Sequence, residues 1–223
     1  MNRFASLALI LAVPLAACEI DNYPAPNAEI TGRVVYQGEP VNVRQNAIDL
    51  ELWQDGFELR REIPVNLHQD GTFAARVFDG VYKLNLKEGV GPWRDNPDTV
   101  QITLNGSESV DVPVEPYFII EGESFTLNGN TLTAAFDVRR VVEGSVFERV
   151  GLYVGRTQFV DSRYHLIRAE QEGELDGDTG HFALTLDLAD AFASHPQLFV
   201  RAAVKTAGVE EMLYTPVDTL ERP

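Results

Sequence analysis

An all-β fold of two tandem sandwiches is what this 223-residue sequence predicts, on three observations. Apolar residues recur at every second position, turn dipeptides punctuate those runs, and prolines interrupt the pattern near the middle of the chain. A helical period is confined to one short piece, residues 188–194, enough for a single turn.

The elements follow in chain order. Arg3 precedes an uncharged run, Phe4 to Ala17, too short to span a bilayer, which is the layout of an export signal that is removed; residues 1–17 are read as that signal. Cys18 is the only cysteine in the chain, and Leu15-Ala16-Ala17-Cys18 resembles the bacterial lipobox, in which the cysteine sulfur is acylated and the chain is cut just before it. Cys18 is therefore the expected lipidation site; the alternatives are an ordinary secretory signal with a cysteine behind it, or a buried thiol. Each buried methylene adds about 0.8 kcal/mol to partitioning, so several acyl chains anchor a protein to a membrane without a spanning helix. Residues 18–27, with two prolines and two asparagines, read as the lipidated cysteine and a flexible stalk.

The first sandwich is expected over residues 28–115. Ile30, Val34 and Tyr36 alternate with Glu29, Thr31 and Arg33, and Ile48, Leu50 and Leu52 alternate with Asp49, Glu51 and Trp53. Asp55-Gly56, Asp70-Gly71 and Asp79-Gly80 supply the turns. Val110, Val112 and Val114 end at Pro113 and Pro116, which remove ladder donors, so this run reads as an edge strand leading into a boundary near Glu115. The second sandwich is expected over residues 116–223. Its strand faces are Leu132, Ala134, Phe136 and Val138; Val150, Leu152 and Val154; Phe182, Leu184, Leu186 and Leu188; and Leu198, Val200, Ala202 and Val204. Asn128-Gly129-Asn130 and Leu175-Asp176-Gly177-Asp178 turn the chain between them.

The formal net charge is −16, and since Arg3 is the only charge in the leader, the remainder is more acidic still. Such a field repels phosphates, and no basic run offsets it, which argues against nucleic acid as a partner. With no cysteine pair available, the fold must be held by buried apolar area.

Three stretches then become familiar together. Ile30-Thr31-Gly32-Arg33-Val34-Val35 followed by Gly38-Glu39-Pro40-Val41, then Asp70-Gly71-Thr72-Phe73 and Gly80-Val81-Tyr82-Lys83-Leu84, are similar to the carboxypeptidase-regulatory-like (transthyretin-like) sandwich. Val150-Gly151-Leu152-Tyr153-Val154-Gly155 and Val200-Arg201-Ala202-Ala203-Val204-Lys205-Thr206 resemble an immunoglobulin- or fibronectin-like module. From Tyr23-Pro24-Ala25-Pro26-Asn27 onward the chain resembles a family of two-domain Bacteroidota outer-membrane lipoproteins of unknown function, encoded beside glycan-uptake systems of the starch-utilisation (Sus) type. The resemblance implies a non-catalytic carbohydrate-binding accessory, lipid-anchored in the outer membrane at the cell surface. Its partners would be an oligosaccharide or polysaccharide and the SusC/SusD-like complex, and its alternative role is docking on that complex without touching glycan. Glu19 and Asp21, just after Cys18, resemble the acidic signal that sends such lipoproteins to the surface.

No catalytic residue comes with the resemblance, and no nucleophile and base stand at a telling spacing, so the sequence is read as non-enzymatic, with a glycosidase the third choice. His68, His165, His181 and His195 lack ligand spacing, and Asp176-Gly177-Asp178 is a hairpin turn rather than a calcium loop, so neither metal nor cofactor is expected. Sugars are held by aromatic rings stacked on their CH faces, with carboxylates or amides taking the hydroxyls. Period two places Trp53 opposite the core with Asp49 and Glu51, as a ligand platform or an interface. Trp93 lies in a breaker-rich segment, Gly89 to Pro97, that reads as a functional loop. Packing at the domain junction is the competing explanation for both tryptophans. Tyr153, alternating outward between Leu152 and Val154, and Tyr164, after a polar loop, complete the binding candidates, with exposed cross-strand tyrosines as their plainer reading.

Overall fold

The computed structural model describes residues 24–56 and 61–222; Cys18, Glu19 and Asp21 lie outside the described residues. The first half holds β1 (Ala28–Tyr36), β2 (Glu39–Pro40), β3 (Asp49–Gln54), β4 (Ile63–Asn66), β5 (Thr72–Val77), β6 (Gly80–Leu86), β7 (Val100–Leu104) and β8 (Ser107–Pro113). In one sheet β1 is central, with β2 and β5 antiparallel along one edge and β8 parallel along the other. The facing sheet runs β4-β3-β6-β7, antiparallel throughout. Alternation dictates what each strand buries. Ile30 and Val34 meet Leu50, Leu52, Tyr82, Leu84, Ile102 and Leu104 in the core, while their neighbours in sequence face outward. As the prolines foretold, β8 is an edge strand that pairs with β1 alone.

The second half holds β9 (Phe118–Asn128), β10 (Thr131–Arg140), β11 (Phe147–Gly155), β12 (Ile167–Glu172), β13 (Thr179–Asp187), α1 (Ala189–Ser194), β14 (Gln197–Thr206), β15 (Leu213–Tyr214) and β16 (Asp218–Glu221). One sheet runs β13-β10-β9; the other runs β12-β11-β14, with β15 and β16 both pairing with β14. Their inner faces carry the four apolar sets read from the sequence, joined by a chain of rings. Phe118 meets Phe147 edge-on at 6.0 Å, Phe147 stacks on Phe182 at 5.4 Å, and Phe182 lies 6.2 Å from Phe136. Among the described residues the single helix is the one turn expected, and its Phe192 is buried. The chain is thus nearly all β, built as two sandwiches in tandem. Among the described residues no helix is long and apolar enough to cross a membrane.

The sandwiches are welded rather than strung. One contiguous apolar cluster runs through both, from Ala28 to Leu220. At the linker, Trp93 forms a β-bridge with Pro116, Arg94 N–H donates to Glu115 O at 2.9 Å, and Tyr117 N–H donates to Pro92 O at 3.1 Å. Farther along, Asn42 bridges to Tyr214, and Arg44 forks onto the Glu211 carboxylate. Arg201, on β14 of the second sandwich, is 1% exposed. Its guanidinium donates to Val43 O at 2.9 Å and Gln69 O at 3.3 Å in the first sandwich, and to Thr215 O at 2.8 Å in its own. It also lies 4.6 Å from the centre of the Tyr214 ring, an aromatic face that favours a desolvated cation. Burial pushes Arg201 down to about 10, so it is still charged at neutral pH.

Candidate functional site

The open face of β3 and β6 gathers the polar side chains that alternation turns away from the core. Leu50 and Leu52 are fully buried, so Asp49, Glu51 and Trp53 must project outward between them, and all three are half-exposed there. Cross-strand register sets Lys83 beside Trp53 and Asn85 beside Glu51. The indole is oriented by its own strand: Trp53 Nε1 donates to Glu51 Oε2 at 3.2 Å. Lys83 Nζ is held 2.6 Å from Asp55 Oδ2. Glu51, Trp53, Lys83, Asn85 and Thr99 line a concavity of about 660 Å³. A second concavity, of about 390 Å³, shares Glu51 and Asn85 and continues to Asn96 and Pro97. Together they make a groove across the sheet with an aromatic wall at one end and carboxylate, amide, ammonium and hydroxyl groups along its floor. Asn85 Oδ1 is buried beneath this face and accepts no hydrogen bond from the protein.

The other binding candidates fall elsewhere. Asp49 shares the Trp53 face but lies toward Asn66, outside the lining of the groove. Trp93 lies in a loop as expected, but it is 2% exposed, so its reading as a ligand contact is corrected in favour of the competing one: its indole folds back over Gly91, where an added Cβ would sit 2.1 Å from a ring carbon, and the ring is junction packing. Tyr153 is likewise corrected. It is 0% exposed because β11 is buried on both faces, its outer face being roofed by Val160, Met212 and Tyr214. Its hydroxyl donates to Glu170 Oε1 at 2.7 Å; burial, and then the Glu170 carboxylate, push the phenol upward, so it stays a donor. An unbroken apolar run, Val150 to Gly155, was the sequence signal for a strand covered on both sides. Tyr164, by contrast, is 70% exposed and lines a separate concavity with Phe159 and Arg156, a site that strand periodicity does not reveal because it is built by a loop. Among the described residues no group of three or more histidines and carboxylates is placed to hold a metal ion.

Two family models cover this architecture. Residues 28–115 match the N-terminal domain of a protein family of unknown function, DUF3823, and residues 118–219 match a domain of unknown function described as DUF3823_C. The chain belongs to the DUF3823 family. A DUF3823 crystal structure from Parabacteroides merdae is 35% identical over 88% of this chain and all of the other, with a TM-score of 0.81. One from Bacteroides ovatus is 31% identical over 89% of this chain and all of the other, with a TM-score of 0.79. The fold is also shared with a candidate carbohydrate-binding protein from Bacteroides uniformis, 18% identical over 88% of this chain and 99% of the other, with a TM-score of 0.72. No curated protein matches the DUF3823 chain. Neither DUF3823 description carries a catalytic activity, and the groove in this DUF3823 member offers recognition chemistry: an indole plane flanked by groups that exchange hydrogen bonds with hydroxyls.

Proposed function

We propose that this chain is a lipid-anchored, non-catalytic carbohydrate-binding accessory of a Sus-type glycan-uptake system, facing outward from the outer membrane. The observation that carries the ligand class is the half-exposed Trp53 on a sheet face whose core-side neighbours are fully buried, with Glu51, Lys83 and Asn85 beside it. An indole on an open sheet face loses apolar burial that a core position would give it. A pyranose ring recovers that burial, and the surrounding polar groups take its hydroxyls. The Bacteroides uniformis carbohydrate-binding candidate of the same fold supports the ligand class. Leu15-Ala16-Ala17-Cys18, followed by Glu19 and Asp21, supports the anchor and its outward direction.

The test is affinity electrophoresis of residues 19–223 through gels carrying single polysaccharides. Retardation by at least one neutral glycan is expected, and Trp53→Ala should weaken it about tenfold or more, since one stacked ring contributes on the order of 1.5 kcal/mol. Free migration on every glycan, together with co-purification with a SusC/SusD-like complex, would replace this reading with a docking subunit. Mass spectrometry of envelope material should find Cys18 acylated at a new N-terminus.

A further inference from the structure

We infer that residues 156–166, which join β11 to β12, form a second glycan platform on the C-terminal sandwich, selective for sugars that carry an acidic group. The inference takes its ligand class from the proposed function, but it uses different residues on a different domain.

Exposure comes first. Phe159, Tyr164 and Leu166 are 46%, 70% and 45% exposed and line one concavity of about 510 Å³, the size of a small-ligand site. Single exposed apolar residues are ordinary; three converging on one concave surface call for a ligand. The loop is also pre-set. Asp161 is 2% exposed, and its Oδ1 accepts from Arg163 N–H at 2.7 Å and Tyr164 N–H at 2.8 Å. Ser162 N–H donates to Tyr214 Oη at 3.2 Å, and that hydroxyl donates onward to Ser162 Oγ at 2.9 Å. Buried Val160 packs against Gly155, and the His165 ring lies 5.6 Å from that of Tyr153. An eleven-residue connection would ordinarily fold its rings inward or move freely; this one holds them out on fixed backbone, so little ordering entropy remains to be lost on binding.

Charge then narrows the ligand. In a chain of net charge −16, this lining holds Arg156 and His165 and no carboxylate, whereas the Trp53 groove is floored by Glu51. Among the described residues no ion pair engages Arg156, and the one buried acid beneath the loop, Asp161, is spent on backbone N–H groups. A guanidinium beside stacked rings matches a pyranose bearing a carboxylate or sulfate.

Residues 19–223 are tested by calorimetric titration with neutral oligosaccharides, oligogalacturonate and a sulfated glycosaminoglycan fragment, the last two separating carboxylate from sulfate. Binding of one acidic probe is expected to weaken about tenfold or more in Tyr164→Ala and in Phe159→Ala, and to survive Trp53→Ala. Arg156→Gln should erase the preference for acidic over neutral probes, and raised salt should weaken the acidic probe alone. Tyr164 is too exposed to matter to folding, and unchanged melting of its variant confirms this. Loss of all binding in Trp53→Ala with none in the loop variants overturns the second platform and leaves the proposed function standing. Neutral-probe binding that Trp53→Ala leaves intact, beside acidic binding that depends on the loop, overturns the Trp53 site and keeps this one. No binding of any probe overturns both.

Discussion

At the residue scale, the groups that matter are those whose surroundings were fixed by a neighbour in space. Asp70 sits in the turn before β5, where its Oδ1 accepts from Thr72 Oγ1 at 2.7 Å and from Thr72 N–H at 3.1 Å. Partial burial pushes this carboxyl up, but the Thr72 side-chain and backbone hydrogen bonds outweigh it and hold the group below the usual carboxylate range. A depressed carboxyl stabilises the fold above its unfolded value near 3.9 and loses that contribution as pH falls through the folded value. The thermal midpoint of the wild type should therefore drop on acidification below about pH 4, and Asp70→Asn should show a shallower acid limb. Parallel acid limbs would remove Asp70 from the account. The tyrosines and tryptophans teach the complementary lesson. Trp53 was legible, because its strand has one wet face. Trp93 and Tyr153 were not, because the indole returns onto Gly91 and the phenol is covered by Met212 and Tyr214, some sixty residues away in the chain.

At the element scale, period two identified the faces of β1, β3, β10, β13 and β14, since each has an apolar side that can be satisfied only by a facing sheet. What it did not reveal is the parallel pairing of β1 with β8, which joins segments about eighty residues apart. That pairing depends on Gly32. A Cβ there would sit 2.1 Å from Val110 O and 2.4 Å from a Phe73 ring carbon, because the ring lies across the glycine in place of a side chain. Gly32→Ala is expected to cost about 1–3 kcal/mol by overpacking, read as a lower urea midpoint with unchanged slope. An unaltered midpoint would show that β8 can move away without loss.

At the scale of the whole molecule, the two sandwiches act as one body, because Arg201 ties carbonyls of both to one buried cation and a single apolar cluster passes between them. The wild type should unfold in one calorimetric transition. Arg201→Leu leaves the Val43 and Thr215 carbonyls without their donor, at about 1–3 kcal/mol each where they stay dry, while Gln69 O keeps the Val43 N–H, and it should split or broaden that transition. A single sharp transition at the wild-type temperature would show that apolar contact alone couples the halves. If the Trp53 groove and the Tyr164 loop both bind as proposed, coupled domains fix the geometry between them, and a polysaccharide long enough to reach both would bind with an affinity above either site alone. The sequence by itself determined the strands, the turns, the tandem all-β plan and the outward Trp53, because alternation and turn chemistry are local and each strand carries its own pattern. Only the tertiary structure decided which outward faces stay open, which loop is pinned with its rings displayed, and that Arg201 is a buried tie rather than a surface charge. Those outcomes depend on segments far apart in the chain covering, or failing to cover, the same surface.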